Sequence, residues 1–392
     1  MGSKLKKLVF LSSRFPYPLN KGDKLRIFYQ LKSLSKEFQI HLICVNEKKP
    51  SQDHLDAVAP FCESINCLVL PKHKRISSLI SSLWKRTPLQ VAYFYNKKID
   101  RSIQKSIANI KPDYLHCHLI RTTEYVKKIN NIPKSLDFMD AYASGIEKRL
   151  NIETNLFKKL LFYFEKKKLE LYEAKAFEYA DRYCIISNQD KDAVSNPDSK
   201  PIVIVPNGVD FEKFFPRNED KRYDLVFMGN MTYPPNQVAV EFLQKKIMPF
   251  VLEKRPSTTL LIAGIGANSI KIEEGKNVTI VEHFEHISDS IAYSKVMVAP
   301  MLISIGLQNK IIQALAMRVP CIVSPSSNKP IGATVGQSIV EAETAQEFSK
   351  EILELLDDET KLSRIALNGY DFVKNHFSWE KQNNILTRLI LS

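Results

Sequence analysis

The chain has 392 residues, of which 44% are hydrophobic and 25% charged, and its formal net charge is +13. This length predicts two domains of similar size, and the composition excludes a disordered or fibrous protein. The chain has no run of eighteen apolar residues, and its first apolar stretch, residues 8–11, is too short for a signal peptide, so we expect a cytoplasmic protein.

The net positive charge calls for an acidic partner or surface. Nucleic acid, anionic lipid and a phosphorylated substrate are the candidates, and nucleic acid is disfavoured because no recognised binding module is visible. The six cysteines lie mostly in apolar, strand-like runs without a C-x-x-C motif, so we expect buried thiols and neither a metal site nor a cofactor.

The two halves of the chain begin with the same pattern of elements. The sequence predicts a strand over residues 7–11, a polar loop over 12–24, a helix over 25–37 and a strand over 40–45. The second half repeats this order with a strand over 224–228, a loop over 229–237, a helix over 238–253 and a strand over 259–263. Strands that alternate with helices predict α/β domains with parallel, doubly wound sheets, whose ligands bind beyond the carboxyl ends of the strands.

Two basic amphipathic segments, residues 71–86 and 156–168, occur in the first half. Residues 71–86 contain one apolar stripe at helical spacing and no acidic residue. The stripe consists of Ile76, Leu79, Ile80, Leu83 and Trp84, and it is flanked by Lys72, Lys74, Arg75, Lys85 and Arg86. Each segment can lie on an anionic membrane or pack against the core of its own domain, and the sequence leaves both interpretations open.

The junction between the halves follows a strand predicted over residues 202–205, where Pro206 and Gly208 break the pattern. We therefore expect a first domain over 1–205 and a second over 206–378. A last helix, within 379–392, can return to the first domain.

Residues 300–324 read as a strand end, a glycine turn, a helix and a further strand. Gly306 permits a sharp turn where the helix is predicted to begin, and the first turn of a helix directs free N–H groups and a positive dipole outward. Ile311, Ile312, Leu315 and Ala316 are expected to face inward, and Gln308, Asn309, Lys310 and Gln313 to line an outer mouth. The pattern favours a phosphate site, although an ordinary helix packed on the sheet explains the apolar positions equally well.

Five motifs occur in order along nearly the whole chain: R-F-P-Y-P-L-N-K-G-D-K-L-R, S-L-D-F-M-D-A-Y-A-S, V-P-N-G-V-D, M-G-N-M-T-Y-P-P-N and G-L-Q-N-K-I-I-Q-A-L-A-M-R-V-P. Together they resemble the family 4 glycosyltransferases of the GT-B fold, within them the sugar transferases of bacterial exopolysaccharide loci. The resemblance implies two Rossmann-like domains facing each other across a cleft. It also implies retaining transfer of a sugar, without a metal, from a nucleotide diphosphate sugar to a saccharide, lipid-linked or other acceptor.

In the first half, the resemblance assigns Gly22 to the approach of the donor diphosphate and His118 to the transferred sugar. His116 lies on the same strand face and competes with His118 for that role. Lys21, Lys24 and Arg26 can add positive charge, be solvated or, for Arg26, begin the helix. Asp137 and Asp140 can orient the acceptor or stabilise the end of the sheet, and neither is predicted to be the catalytic base.

In the second half, the resemblance assigns the donor to the loop Gly229–Asn230, to Asn236, to His283 and Phe284 beside the base, and to the segment Gly306, Leu307, Gln308, Asn309. Many relatives carry an arginine and a lysine in the first of these regions, where this chain has Asn230 and Asn236. We therefore predict that Lys310 and the helix dipole neutralise the diphosphate.

The chain departs from the resemblance at two positions, because Ile305 and Gln313 stand where the family has two glutamates. A glutamine oxygen still accepts hydrogen bonds from ribose hydroxyls, but without a charge. A catalytically impaired donor-binding or scaffold subunit is therefore an alternative, as is a sugar-nucleotide epimerase. The sequence D-K-D at 190–192 is interpreted as a helix start rather than a metal site.

Overall fold

The computed structural model describes residues 5–270, 277–304 and 306–392. The chain divides into two compact units, Met1–Pro206 with Glu380–Ser392, and Asn207–Trp379. Each unit is built on a parallel sheet with helices, which confirms the predicted α/β class. Within the described part of the chain, every helix is too short or too polar to cross a lipid bilayer.

The sheet of the first unit has the strand order β3-β2-β1-β4-β5-β6-β7. Its strands are β1 (Lys6–Ser12), β2 (Phe38–Asn46), β3 (Ser64–Val69), β4 (Tyr114–His118), β5 (Lys134–Asp137), β6 (Arg182–Ile185) and β7 (Ile202–Ile204). Its helices are α1 (Gly22–Leu34), α2 (Gln52–Val58), α3 (Lys72–Leu83), α4 (Leu89–Phe94), α5 (Lys97–Ile110), α6 (Tyr142–Ile152), α7 (Leu156–Ala176) and α8 (Asn188–Ala193). Short 3-10 helices occupy Ala59–Phe61 and Ile120–Tyr125.

The sheet of the second unit has the order β10-β9-β8-β11-β12-β13. The strands are β8 (Tyr223–Met228), β9 (Leu260–Ala263), β10 (Val278–Val281), β11 (Ser294–Ala299), β12 (Cys321–Val323) and β13 (Val340–Glu341). The helices are α9 (Pro234–Phe242), α10 (Met248–Lys254), α11 (Ile287–Ala292), α12 (Asn309–Ala316), α13 (Pro325–Asn328), α14 (Ala345–Asp357) and α15 (Glu359–His376), followed by α16 (Trp379–Leu391). A π-helical segment at Leu243–Ile247 joins α9 to α10, and a 3-10 turn lies at Ala267–Ser269.

The predicted helices and strands differ from the observed ones mainly at their ends. Helix α1 begins at Gly22, three residues before the predicted start, and Asp23 in its first turn complements the helix dipole. The helix predicted over 238–253 begins at Pro234, since proline is tolerated in the first turn, and a π segment interrupts it.

The core of the first unit lies on both faces of its sheet, because alternate residues of a strand point to opposite faces. Val9 and Leu11 of β1 belong to the cluster that contains α5, whereas Leu8 and Phe10 pack with α1. Leu386 of α16 is in the second of these clusters, and the Asn383 amide donates to the Tyr29 carbonyl over 2.9 Å. The last helix therefore packs on the first unit.

The cysteine interpretation is correct for four of the six thiols. Cys44, Cys117, Cys184 and Cys321 are buried. Cys67, in the edge strand β3, and Cys62, just before that strand, are only half-buried.

Candidate functional site

The second unit brings Gly229, Asn236 and Lys310 together where β8 ends and α9 and α12 begin. The ammonium of Lys310 donates to Oδ1 of Asn236 over 2.7 Å, and the Asn236 amide donates to the Asn230 carbonyl over 2.8 Å. A Cβ at Gly229 would lie 2.9 Å from Nδ2 of Asn236 and 3.5 Å from Nζ of Lys310. The glycine therefore lets the Asn236 amide and the Lys310 ammonium pack closely against the backbone at the end of β8.

Lys310 lies deeper than predicted. We expected it at the outer mouth with Gln308, Asn309 and Gln313, but only 9% of it is exposed, whereas those three residues are half-buried. Its Nζ lies 4.3 Å from the centre of the Phe227 ring and 3.5 Å from Sδ of Met301. Residue 310 directly precedes the inward-facing Ile311 on α12, and its long side chain turns inward to reach Asn236.

The electrostatics of Lys310 are those of a cation without a counter-charge. Among the described residues, no carboxylate lies within 4 Å of its Nζ, and burial lowers its pKa to about 7. A bound diphosphate would supply the missing negative charge and would raise this pKa. The site can therefore accept an anion and a proton together.

The turn before α12 differs in one respect from the prediction. Gly306 is in the left-handed region with φ of 63°, as a sharp turn requires, but α12 begins at Asn309, so Gly306 and Leu307 precede the helix. Gln308, at the N-cap, makes no capping bond with its side chain, and the Asn207 amide donates to Oδ1 of Asn309 over 3.1 Å. The first turn of any helix leaves backbone N–H groups without an intrahelical partner, and in α12 this turn contains Lys310.

The loop after β8 is held by its own asparagines. Oδ1 of Asn230 accepts bonds from the backbone N–H and the hydroxyl of Thr232, at 2.9 and 2.6 Å. A Cβ at Gly264, whose φ is 126°, would lie 2.1 Å from the Gly229 carbonyl oxygen, so β8 and β9 meet here through two glycines. Asn230 thus shapes the loop with its side chain, and Asn236 is the residue that reaches Lys310.

The remaining donor residues predicted in this unit lie on the same edge of the sheet or near it. His283 is exposed and Phe284 half-buried, both just after the carboxyl end of β10. Gln313 lies one helical turn after Lys310 on α12 and is half-buried. Ile305, in the place of the other family glutamate, lies outside the described residues.

In the first unit, Gly22 is the first residue of α1, and an ion pair lies beside it. Asp23 is buried and accepts a 2.5 Å bond from the Arg14 guanidinium. Burial opposes ionisation of Asp23, but Arg14 and Arg121 outweigh it and hold the pKa of this carboxyl below its usual value. The helix start assigned to the diphosphate therefore already carries a paired carboxylate.

His118 ends β4, and its ring is completely buried against that of Phe10. Neither ring nitrogen has a hydrogen-bond partner within the described ranges, and burial lowers the pKa of His118 to about 4. Its rival His116 has a partner, because Nδ1 lies 2.8 Å from the Ser135 hydroxyl. The two histidines are thus distinguished, and His118 is a neutral imidazole with unused hydrogen-bonding capacity.

Among the charged residues predicted in this unit, Arg26 departs from its expected roles. Arg26 neither begins the helix nor is solvated; it is buried, and its Nε donates to Oδ2 of Asp137 over 2.6 Å. Lys21 is exposed. Burial and the neighbouring Asp190 raise the pKa of Asp140 to about 7. Asp190 itself lies in the first turn of α8, where its backbone N–H donates to the Ser187 hydroxyl, as expected for a helix start.

Sequence reasoning gave no role to Arg14 and Arg121. Arg14 lies in the loop between β1 and α1, which also contains Lys21, and Arg121 follows β4, the strand that carries His116 and His118. The Arg121 guanidinium lies 5.1 Å from the ring centres of both Phe94 and Tyr142. The signal available in the sequence was that each arginine comes two or three residues after the end of a central strand, at the edge where ligands of parallel sheets bind.

Two units that are each built on a parallel α/β sheet match the architecture of the GT-B fold. Comparison with known families agrees, because residues 222–358 match the family described as "Glycosyl transferases group 1". This segment contains β8 to β13 and the cluster of Gly229, Asn236 and Lys310. The resemblance and the GT-B fold predicted from the five motifs are confirmed.

Known proteins resemble the chain over nearly its full length. An uncharacterized 44.6 kDa protein in the cps region of Klebsiella pneumoniae is 23% identical over 96% of this chain and 97% of its own. The UDP-Gal:alpha-D-GlcNAc-diphosphoundecaprenol alpha-1,3-galactosyltransferase of Escherichia coli is 23% identical over 87% of each chain. The structure of sucrose-phosphate synthase from Thermosynechococcus elongatus covers 98% of both chains with a TM-score of 0.71 at 14% identity, which shows a shared fold.

Proposed function

We propose that the protein is a retaining glycosyltransferase that moves a sugar from a nucleotide diphosphate sugar to a lipid-linked saccharide during synthesis of a bacterial surface glycan, on the cytoplasmic side of the membrane. The observation that carries the proposal is the buried Lys310 ammonium beside Gly229 and Asn236 at the carboxyl edge of the second sheet, a cation that has no counter-ion among the residues that the structure describes. A galactosyltransferase that resembles the chain, and whose name specifies a diphosphoundecaprenol-linked acceptor, supports the choice of acceptor class.

In the proposed reaction the bond between the anomeric carbon and the β-phosphate oxygen breaks, and an acceptor hydroxyl oxygen bonds to that carbon from the same face. The hydroxyl proton passes to the departing phosphate oxygen. Lys310 and the backbone N–H groups at the start of α12 stabilise the charge that develops on the diphosphate. This chemistry requires no metal ligand from the chain, and His118 is proposed to hydrogen-bond the transferred sugar, as the resemblance implies.

The test is transfer from a panel of UDP-, GDP- and dTDP-sugars to a polyprenyl diphosphate-linked sugar, followed by NMR assignment of the new anomeric bond. We expect transfer with retained configuration from one donor. Donor epimerised without acceptor would instead assign the epimerase function, and an inverted product would exclude the retaining mechanism.

A second candidate, a donor-binding subunit with impaired catalysis, is favoured by Gln313. If binding is detected by calorimetry while turnover stays absent across the donor and acceptor panels, this candidate replaces the transferase.

Replacing Gln313 with glutamate tests how far the missing carboxylate limits the site. We expect Gln313→Glu to raise kcat/KM for the donor by about three- to tenfold, because a charged acceptor binds the ribose hydroxyls more strongly than an amide oxygen. Gln337→Glu, on an exposed position of the same unit, adds the same charge and should leave kcat/KM unchanged. An equal gain in both variants would attribute the effect to net charge rather than to the ribose contact.

A further inference from the structure

Three residues of the apolar stripe of helix α3 are presented to solvent, whereas Leu79 is half-buried and the side chain of Leu83 lies outside what the structure describes. Ile76 and Ile80 are exposed, and Trp84, directly after the helix, is 81% exposed. From the sequence, the stripe could either lie on a membrane or pack on the core of its own domain. The exposure of these three side chains excludes packing on the core. Large apolar groups that line up on an exposed face mark a surface for interaction.

Helix α7 presents a second apolar stripe along its first half. Leu156 and Phe157, at the start of the helix, are 82% and 78% exposed, and Leu160, Leu161 and Phe164 continue the exposed row. Spacings of three and four residues place these side chains on one side of the helix. Other residues of α7 enter the core: Leu169 and Ala176 in its second half, and the partly buried Phe162 in its first half.

The two helices are joined where α3 ends. The Lys168 ammonium donates to the Ser82 carbonyl over 2.7 Å, and the buried Glu165 carboxylate accepts the backbone N–H of Leu89 over 2.9 Å. Residues 72–86 and 156–168 therefore belong to one continuous region of the first unit, which we call the basic apolar surface.

The charges of the basic apolar surface have predominantly one sign. Residues 72–86 contain five lysines and arginines and no carboxylate, and the four that are exposed make no ion pair in the part of the chain that the structure describes: Lys72, Lys74, Lys85 and Arg86. On the α7 side, Lys158 lies 4.0 Å from Glu153, and Lys166 pairs with Glu147 over 2.5 Å. Glu165 is buried under the surface and bound to backbone N–H groups, so it faces away from a partner.

We propose that the basic apolar surface docks the protein on a bilayer that contains anionic lipids. An apolar row flanked by lysines and arginines enters the boundary between headgroups and acyl chains, while the cations contact lipid phosphates. A second copy of this chain is a poorer occupant, since it would place the same cations against each other. The inference goes beyond the transfer reaction and is tested without donor or acceptor, so either proposal can fail while the other stands.

Trp84 gives a direct readout, because the chain has two tryptophans and the other, Trp379, is buried. With vesicles of phosphatidylcholine and phosphatidylglycerol, we expect a blue shift of the fluorescence and flotation of the protein. The Trp84→Phe variant should float without the shift. No shift and no flotation with anionic vesicles would overturn the proposal.

A charge variant and a matched control test the electrostatic part. The variant K72Q/K74Q/K85Q/R86Q should lower the vesicle partition coefficient by about tenfold or more, because each cation near an anionic surface contributes to binding. The control K245Q/K246Q/K254Q/K350Q removes the same number of charges from exposed positions of the second unit and should partition like the parent. Equal losses in both variants would reduce the effect to net charge and overturn the assignment to this surface.

An apolar variant tests the insertion. Leu156→Ser with Phe157→Ser should abolish flotation at high salt, where the charges are screened, while the circular dichroism stays unchanged. If the parent protein dimerises without vesicles and these substitutions dissociate the dimer, the surface belongs to a second copy and the membrane proposal is wrong.

Discussion

Lys310→Met is expected to weaken the binding of a nucleotide diphosphate sugar by about tenfold or more, because it removes a charge-assisted contact to phosphate from a water-poor site. Methionine is the fitting replacement, since it fills a similar volume and packs beside Phe227 and Met301 without the charge that Lys310 places there. Calorimetric titration of the donor measures the effect. Lys329→Met, at an exposed position of the same unit, should bind the donor like the parent.

The pH dependence of donor binding gives a second signature of Lys310. Burial lowers its pKa to about 7, so above neutral pH the unliganded protein must take up a proton to present a charged ammonium. The donor Kd of the parent should therefore rise as the pH increases from 6 to 9, by up to about tenfold per unit above pH 7. The Kd of Lys310→Met should be independent of pH over this range, and a parallel slope in both proteins would remove Lys310 from the site.

The same substitution should raise the free energy of unfolding near neutral pH. A lysine whose pKa is lower in the folded than in the unfolded chain costs stability when it is protonated, and each unit of difference corresponds to ~1.4 kcal/mol. Between pH 7 and 10 the unfolded chain holds more protons, so the stability of the parent rises with pH, and Lys310→Met should lose this slope. Gained stability combined with lost affinity identifies a residue kept for binding rather than for folding.

The sequence predicted the fold well, because the fold depends on patterns that repeat. Strands such as 224–228 and 259–263 alternate with amphipathic segments, and this alternation alone implies parallel sheets. The ends of helices were less accurate: α1 and α9 begin several residues early, where Asp23 and Pro234 stabilise a first turn that apolar periodicity cannot reveal. The π segment at Leu243–Ile247 has no counterpart in the apolar pattern.

The site was predicted in its residues better than in its geometry. The sequence indicated Gly229, Asn236 and Lys310 as separate contributors, whereas in the structure the amide of Asn236 holds the ammonium and the missing Cβ of Gly229 lets both side chains pack against the end of β8. Such contacts join positions 74 residues apart and depend on which way a side chain turns. Arg26 shows the same limit of sequence reasoning. From its place near the start of a helix we expected a surface group, but in the structure it is fully buried.

Arg26→Met should lower the stability of the first unit by about 3–5 kcal/mol, because it leaves the buried Asp137 carboxylate without its counter-ion. Two guanidinium nitrogens bond to Asp137, at 2.6 and 3.1 Å, and a third donates to the Val205 carbonyl over 2.7 Å. Burial opposes ionisation of Asp137, but Arg26 outweighs it and holds the pKa of this carboxyl far below its usual value. The stability from the pair is therefore present above the unfolded pKa of the carboxyl and is lost as the pH falls.

Hydrogen exchange measures the destabilisation of the first unit separately from that of the second. Such a local measurement is needed because a chain with two units need not unfold in a two-state manner. Amides of β4 and β5 should exchange faster in Arg26→Met, whereas those of β8 and β11 in the other unit should keep the parental rates. Lys245→Met, which breaks the exposed pair with Glu241, should leave the free energy of unfolding almost unchanged.

The decisive comparison is the double variant Arg26→Met with Asp137→Asn. Asparagine keeps an oxygen for the backbone N–H of Met139, which now donates to Asp137 over 2.9 Å, and it removes the charge. Because neither partner is then left charged and unpaired, the double variant should be less destabilised than the sum of the two single variants. If the losses of the two single variants add up in the double variant, the two side chains stabilise the sheet edge independently. The ion pair between α1 and β5 would then not be the contact that holds the carboxyl ends of β4 and β5, and with them His118, in place.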